Sequence, residues 1–296
     1  MAAPMILTPP RSLAATAPAA RSQAEGVRAA MRLVGGGTAD GVPTILCASG
    51  RGGSGTSLLA ALLAATAAGD GFRVLLVDTD DLLGPLAMTF GVAPRASWMD
   101  LRGGKAAPLD VITPITATLT LVAGGPARLS DDATPLTSAE RRACMKRVSM
   151  LGEGMDLVVM DAGSRLDAVL GSVTPHAGER MLAVAGGHDP IALASTYALI
   201  KAVHARHGAL PTEVLVNRHE GPDATRCFEA IDAGARQFLG MSLRQAGAVP
   251  ADPTLDAALR AGMPFPDAAA GSPAALAAHA VVMDVLAARP SSRIGA

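Results

Sequence analysis

The segment Ser49-Gly50-Arg51-Gly52-Gly53-Ser54-Gly55-Thr56-Ser57 constrains this chain more than any other. It follows an apolar run, Thr44 to Ser49, that predicts a strand, and precedes an alanine- and leucine-rich run, Leu58 to Ala68, that predicts a helix. Glycines in such a turn let backbone N–H groups approach an anion, and the helix N-terminus adds its positive end. The pattern G-x-x-x-x-G-K-[ST] is met at Gly50, Gly55 and Ser57, but Thr56 stands where it has lysine.

The rest of the chain supplies the sheet that such a unit needs. Further strand candidates are Val74 to Asp78, Leu119 to Val122, Leu157 to Asp161, Met181 to Ala185 and Glu213 to Asn217. Helical stretches separate them, one opened by the capping box Thr137-Ser138-Ala139-Glu140 with Cys144, Val148 and Leu151 on one side, and another running from about Pro273 to Ala287. The alternation predicts an α/β fold: a doubly wound, mostly parallel sheet with helices on both faces, over residues 43–288. Two strands end in carboxylates, Asp78-Thr79-Asp80 and Asp161, and in a doubly wound sheet such ends meet at the ligand crevice. There a carboxylate can orient water or help hold Mg²⁺.

Composition narrows the functional classes. A formal net charge of −1 disfavours a chain that coats nucleic acid or anionic membrane, and the dense basic cluster Arg141, Arg142, Lys146 and Arg147 is expected to be a solvated helix face. With aromatics at 2%, the core must come from Ala, Leu, Val and Met. Cys47, Cys144 and Cys227 lack zinc or disulfide spacing and are expected as core residues of a reducing, cytoplasmic protein. No run is apolar and unbroken enough for a signal peptide or a membrane span. Ahead of the domain, residues 1–20 are Ala- and Pro-rich and expected to be disordered; residues 21–34 form an amphipathic helix candidate with Ala24, Val27, Met31 and Val34 on one side; residues 35–42 are a glycine-rich linker. Residues 289–296 are a short tail.

The order of the glycine loop, Asp78-x-Asp80, Asp161, Asp189-Pro190 and Val214-Leu215-Val216-Asn217-Arg218 resembles the MinD/ParA group of deviant Walker ATPases, P-loop NTPases with a doubly wound sheet. Tyr197-Ala198-Leu199-Ile200-Lys201, Ala248-Val249-Pro250-Ala251-Asp252-Pro253, Gly262-Met263-Pro264-Phe265 and Ser272-Pro273-Ala274 look like its FlhG/FleN/YlxH subfamily of flagellar-number regulators. The resemblance covers about residues 21–288. It implies ATP or ADP with Mg²⁺ as cofactors: Gly50, Gly52, Gly53, Ser54, Gly55, Thr56 and Ser57 around the phosphates, Ser57 and Asp161 on the metal, Asp80 orienting water, and Asn217 with Arg218 at the adenine. It implies an ATP-dependent homodimer, and recruitment of a cytoplasmic chain to the cell pole or flagellar base. Ser22-Gln23-Ala24-Glu25-Gly26-Val27-Arg28 resembles the element with which these regulators stimulate FlhF, a GTPase of the signal-recognition-particle type, Gln23 and Arg28 included. Flagellar basal-body or transcriptional regulators are further partners that the resemblance implies.

Two positions depart from the family. Its signature lysine, which reaches across the dimer to the partner's phosphates, is Arg51, and the loop lysine is Thr56. Losing one charged donor at such a site costs about 10²–10³ in rate. The expectation is therefore a regulator whose degenerate ATP site binds weakly and hydrolyses slowly or not at all. The alternatives are a working dimeric switch using Arg51, or a nucleotide-free scaffold. Arg165, four residues after Asp161, is a candidate replacement for the missing charge. The last helix lacks a basic, aromatic-bearing stripe, so membrane docking is not expected, nor is DNA binding.

Overall fold

The computed structural model describes residues 41–287 apart from 126–135, 175, 177, 188, 209, 221 and 222. The amphipathic candidate at 21–34, with Gln23 and Arg28, lies outside the described residues, as do residues 1–20, most of the linker and the tail.

The strands are β1 (Thr44–Ser49), β2 (Val74–Asp78), β3 (Ile112–Pro114), β4 (Leu119–Val122), β5 (Leu157–Gly163), β6 (Glu179–Gly186), β7 (Thr212–His219) and β8 (Arg244–Pro250). They form one sheet in the order β3-β4-β2-β5-β1-β6-β7-β8, parallel throughout except for β3 against β4. The helices are α1 (Thr56–Gly69), α2 (Pro85–Thr89), α3 (Ser138–Met150), α4 (Leu166–Ser172), α5 (Pro190–Arg206), α6 (Asp223–Leu239), α7 (Pro253–Arg260), α8 (Phe265–Ala269) and α9 (Pro273–Ala287). The α/β architecture expected from the sequence is therefore present. β3 and β8 are additions at the two edges of the sheet.

Parallel strands are covered on both faces, which is why β1, β2 and most of β5 to β7 are apolar runs rather than alternating ones. Ile45 and Cys47 of β1 face one layer, where Leu59, Leu63 and the alanines of α1 meet Ala274, Ala278 and Val282 of α9. Leu46 and Ala48 face the other, with Met145 and Val148 of α3, Ile200 of α5 and Ile231 of α6. Alanine suits the first layer because small side chains let two helices and a sheet approach closely.

One expectation fails here. Arg141 does not belong to a solvated basic face: it is 3% exposed, its guanidinium lies 5.2 Å from the centre of the Trp98 ring, and its Nη1 donates to the Thr79 carbonyl at 2.9 Å. The spacing Arg141, Cys144, Met145, Val148 puts it on the buried side of α3. Arg142 and Lys146 remain exposed, and Arg147 is half-buried with a bond to the Leu101 carbonyl.

Strand order positions the site. β1 lies between β5 and β6, so the connections leaving β1 and β5 run in opposite directions and open a crevice at the carboxyl end of β1. The glycine loop sits there.

Candidate functional site

The loop from Gly50 to Gly55 is shaped by close approaches from α5 and β7. A Cβ at Gly50 would come within 1.9 Å of the Ser195 carbonyl oxygen of α5, so only glycine fits. Gly55 has φ +78° and caps α1 with no side chain in the capping role; a Cβ there would meet the Asn217 amide nitrogen at 2.6 Å. The first turn of α1 thus presents its free N–H groups to the crevice.

The loop is braced from within. Thr56 Oγ1 donates to Ser49 Oγ at 2.9 Å, Ser49 Oγ donates to the Arg51 carbonyl at 2.9 Å, and Ser54 Oγ donates to the same carbonyl at 3.1 Å. Asn217 Nδ2 donates to the Ser54 carbonyl at 2.9 Å. Thr56 is 6% exposed, so the side chain at the lysine position turns down into the base of the loop and offers nothing to a ligand above it. Arg51 turns sideways instead. Its Nη2 pairs with Asp189 Oδ2 at 2.8 Å, while Asp189 Oδ1 caps α5 through the N–H groups of Ile191 and Ala192, each at 2.9 Å. That cap and Arg51 hold the Asp189 carboxyl below the usual range.

The acidic side of the crevice is assembled by strand register. Asp78 of β2 lies opposite Asp161 of β5, and both are buried. Burial, then the neighbouring Asp161, pushes the Asp78 carboxyl up to about 7, although it accepts from the N–H groups of Leu86 and Asp80. Burial also raises Asp161, and hydrogen bonds from Ser57 and the Gly163 N–H pull it partly back. Asp80 accepts from the Leu82 and Leu83 N–H groups and stands near enough to Asp161 to repel its charge.

These residues answer the question of fit in two parts. The Ser57 hydroxyl bonded to the Asp161 carboxylate is a pair of hard oxygen donors that suits Mg²⁺. The glycine loop and the uncapped α1 suit a phosphate chain through backbone donors, but the side-chain cation that usually joins them is missing. The crevice beside Asn217 and Arg218, flanked by Leu58, Pro250 and Asp256, has room for about 20 Å³, enough for one water. Arg218 Nη2 stands 3.8 Å from Asp256 across it, so a purine there needs these two side chains to part.

Sequence reasoning missed several neighbours. Asp81, side chain 9% exposed, pairs with Arg141 and with Arg165, each at 2.6 Å, and Arg165 also pairs with Asp167 at 2.8 Å. Trp98 Nε1 donates to the Asp78 carbonyl at 2.8 Å. Arg141 was findable from its place on the apolar stripe of α3; Trp98 was not, because nothing local ties it to a strand end twenty residues earlier. Arg165 stands in an acid clamp, which is where any role at a phosphate must begin.

No family model matches the chain. It is 26% identical over 247 residues to the antiactivator FleN of Pseudomonas aeruginosa, which covers 82% of this chain and 86% of that one. Among solved structures it is similar to a ParA family ATPase from Chlorobium tepidum, with TM-score 0.66 and 18% identity over 83% of this chain and 99% of that one. It is also similar to the septum site-determining protein MinD complexed with Mg-ADP from Pyrococcus horikoshii, with TM-score 0.64 and 20% identity over 82% and 95%. The solved structures show the fold, that of MinD and ParA ATPases, and the similarity to FleN spans most of both chains.

Proposed function

We propose that this chain is a FlhG/FleN-like regulator of flagellar number or placement, with a degenerate adenine-nucleotide site that binds weakly and turns over slowly or not at all. The observation that carries the reading is Thr56: at the lysine position the side chain is buried and bonded to Ser49. Arg51, the cation of the loop, is engaged by Asp189 of its own chain. A bound Mg²⁺ would neutralise phosphate charge from Ser57 and Asp161, but the protein adds little of its own at the terminal phosphate, where charge stabilisation dominates phosphoryl transfer. Output then runs through partners, the proposed first one being an FlhF-like GTPase engaged by Gln23 and Arg28.

Calorimetry with Mg-ATP and Mg-ADP, paired with turnover of the wild type and Thr56→Lys, tests this. The expected result is weak binding and negligible turnover in the wild type, and a gain of about 10²-fold or more in Thr56→Lys. Wild-type turnover equal to that of Thr56→Lys overturns it in favour of a dimeric switch that works with Arg51. Stimulation of an FlhF-like GTPase that survives Gln23→Ala removes the partner assignment.

A further inference from the structure

In nucleotide switches, two loops flanking the phosphates are commonly joined only when the terminal phosphate and its Mg²⁺ are present to bind both. Here the corresponding loops are joined by the protein itself. The loop after β2 carries Asp80 and Asp81, and the segment after β5 carries Arg165. Asp81 Oδ1 takes Arg165 Nη1 and Asp81 Oδ2 takes Arg141 Nη2, so one carboxylate ties three elements together. The anchor is firm on one side and open on the other: Arg141 is buried under Trp98, whereas the Arg165 side chain is 43% exposed and steadied by Asp167. The carbonyls of Asp78 and Thr79, just before Asp80, are held by Trp98 and Arg141, so every backbone step into Asp80 is fixed from the same scaffold. On the other loop, Ser164 Oγ lies 3.9 Å from where a Cβ at Gly52 would stand, which sets the Arg165 segment against the glycine loop.

We propose that Asp81 is a positioning residue that bridges the two loops without nucleotide, so that the Asp80 loop and the Arg165 segment are held in one arrangement whether or not a phosphate is bound. Leu82, Leu83 and Leu166, which directly follow the bridged residues, are 62%, 81% and 44% exposed. The bridge keeps this apolar rim on display in the empty protein. The inference deepens the proposed degenerate-site reading, since a site that seldom sees a terminal phosphate needs another way to join its loops.

Hydrogen exchange of the full chain, followed by mass spectrometry in peptides covering 79–84 and 163–168, tests it. In the nucleotide-free wild type both peptides should be protected, and saturating Mg-ATP should change their exchange by less than about twofold. Arg165→Gln should speed exchange of both peptides together by about tenfold, with the core strands unchanged and Arg165→Lys restoring most of the protection. Because Arg165 is half exposed and Arg141 keeps its pair with Asp81, this variant leaves the fold intact, and an unchanged thermal midpoint verifies that. The proposal is overturned if the wild-type peptides exchange freely until Mg-ATP is added, or if Arg165→Gln leaves peptide 79–84 as protected as before. Tight ATP binding by the wild type would remove the degenerate-site reading and leave the bridge standing.

Discussion

The two ends of the central strands handle buried carboxylates in opposite ways. At the carboxyl end, Asp78 and Asp161 sit side by side, neither in an ion pair among the described residues, and both are pushed upward by burial. At the amino end, Glu213 at the start of β7 is equally buried, yet Arg180 and Arg244 hold it at 3.2 and 2.6 Å, with Asp284 completing the chain through Arg244. Uncompensated acid in a crevice is what a site for a cation looks like, and compensated acid is what a structural network looks like.

Glu179 blurs the division and offers the largest effect. It begins β6 at the amino end, beside the compensated network, but its Oε1 takes the Thr174 N–H and its Oε2 is buried without a partner among the described residues. Burial pushes it up to about 7 from the ordinary 4.5. The folded state therefore holds this proton more tightly than the unfolded chain does. The contribution to stability is complete below about pH 4.5 and is lost as pH rises through about 7. Glu179→Gln should remove about 3 kcal/mol of that pH dependence, read as the difference in urea-unfolding free energy between pH 5 and pH 8. An unchanged slope would show that Glu179 is paired in solution.

Breaking the compensated network should cost less. Glu213→Gln leaves Arg180 and half-exposed Arg244 with weakened partners and should destabilise the protein by about 2 kcal/mol, measured by the urea midpoint at pH 7.5. A neutral result would put Glu213 in the same class as Glu179.

The smallest effect sharpens the acidic end. Asp189→Asn keeps an oxygen to cap α5 but removes the charge that engages Arg51. Because that pair is exposed, the freed arginine should tighten Mg-ATP binding by no more than about fivefold. A larger gain in calorimetry would mean that the ion pair is the main obstacle to binding, ahead of Thr56.

Much of this division is written locally in the chain. The apolar runs of β1, β2 and β4, the capping box of α3 and the Pro273 start of α9 coincide with the elements the pattern predicts. β8 escapes because Arg244-Gln245-Ala246-Gly247-Ala248 has neither β-branched residues nor alternation; packing under α9 and pairing with β7 make it a strand. At the site, sequence spacing brings out the glycine loop and the carboxylates, but not where side chains turn. That Thr56 faces Ser49, that Arg51 faces Asp189 and that Arg165 faces Asp81 depend on partners up to 138 residues away, and no local propensity encodes them. Arg141 shows the opposite failure, a charge on an apolar stripe whose periodicity is more informative than its residue type.

Trp98 gives the molecule an optical handle on its own site. It is the single tryptophan of the chain, fully buried, with its indole N–H on the Asp78 carbonyl and the Arg141 cation against its ring. Any rearrangement of the Asp78–Asp81 segment must alter the electrostatic field at that indole. The emission spectrum of the unlabelled protein is thereby an intrinsic gauge of whether its acidic loop has moved.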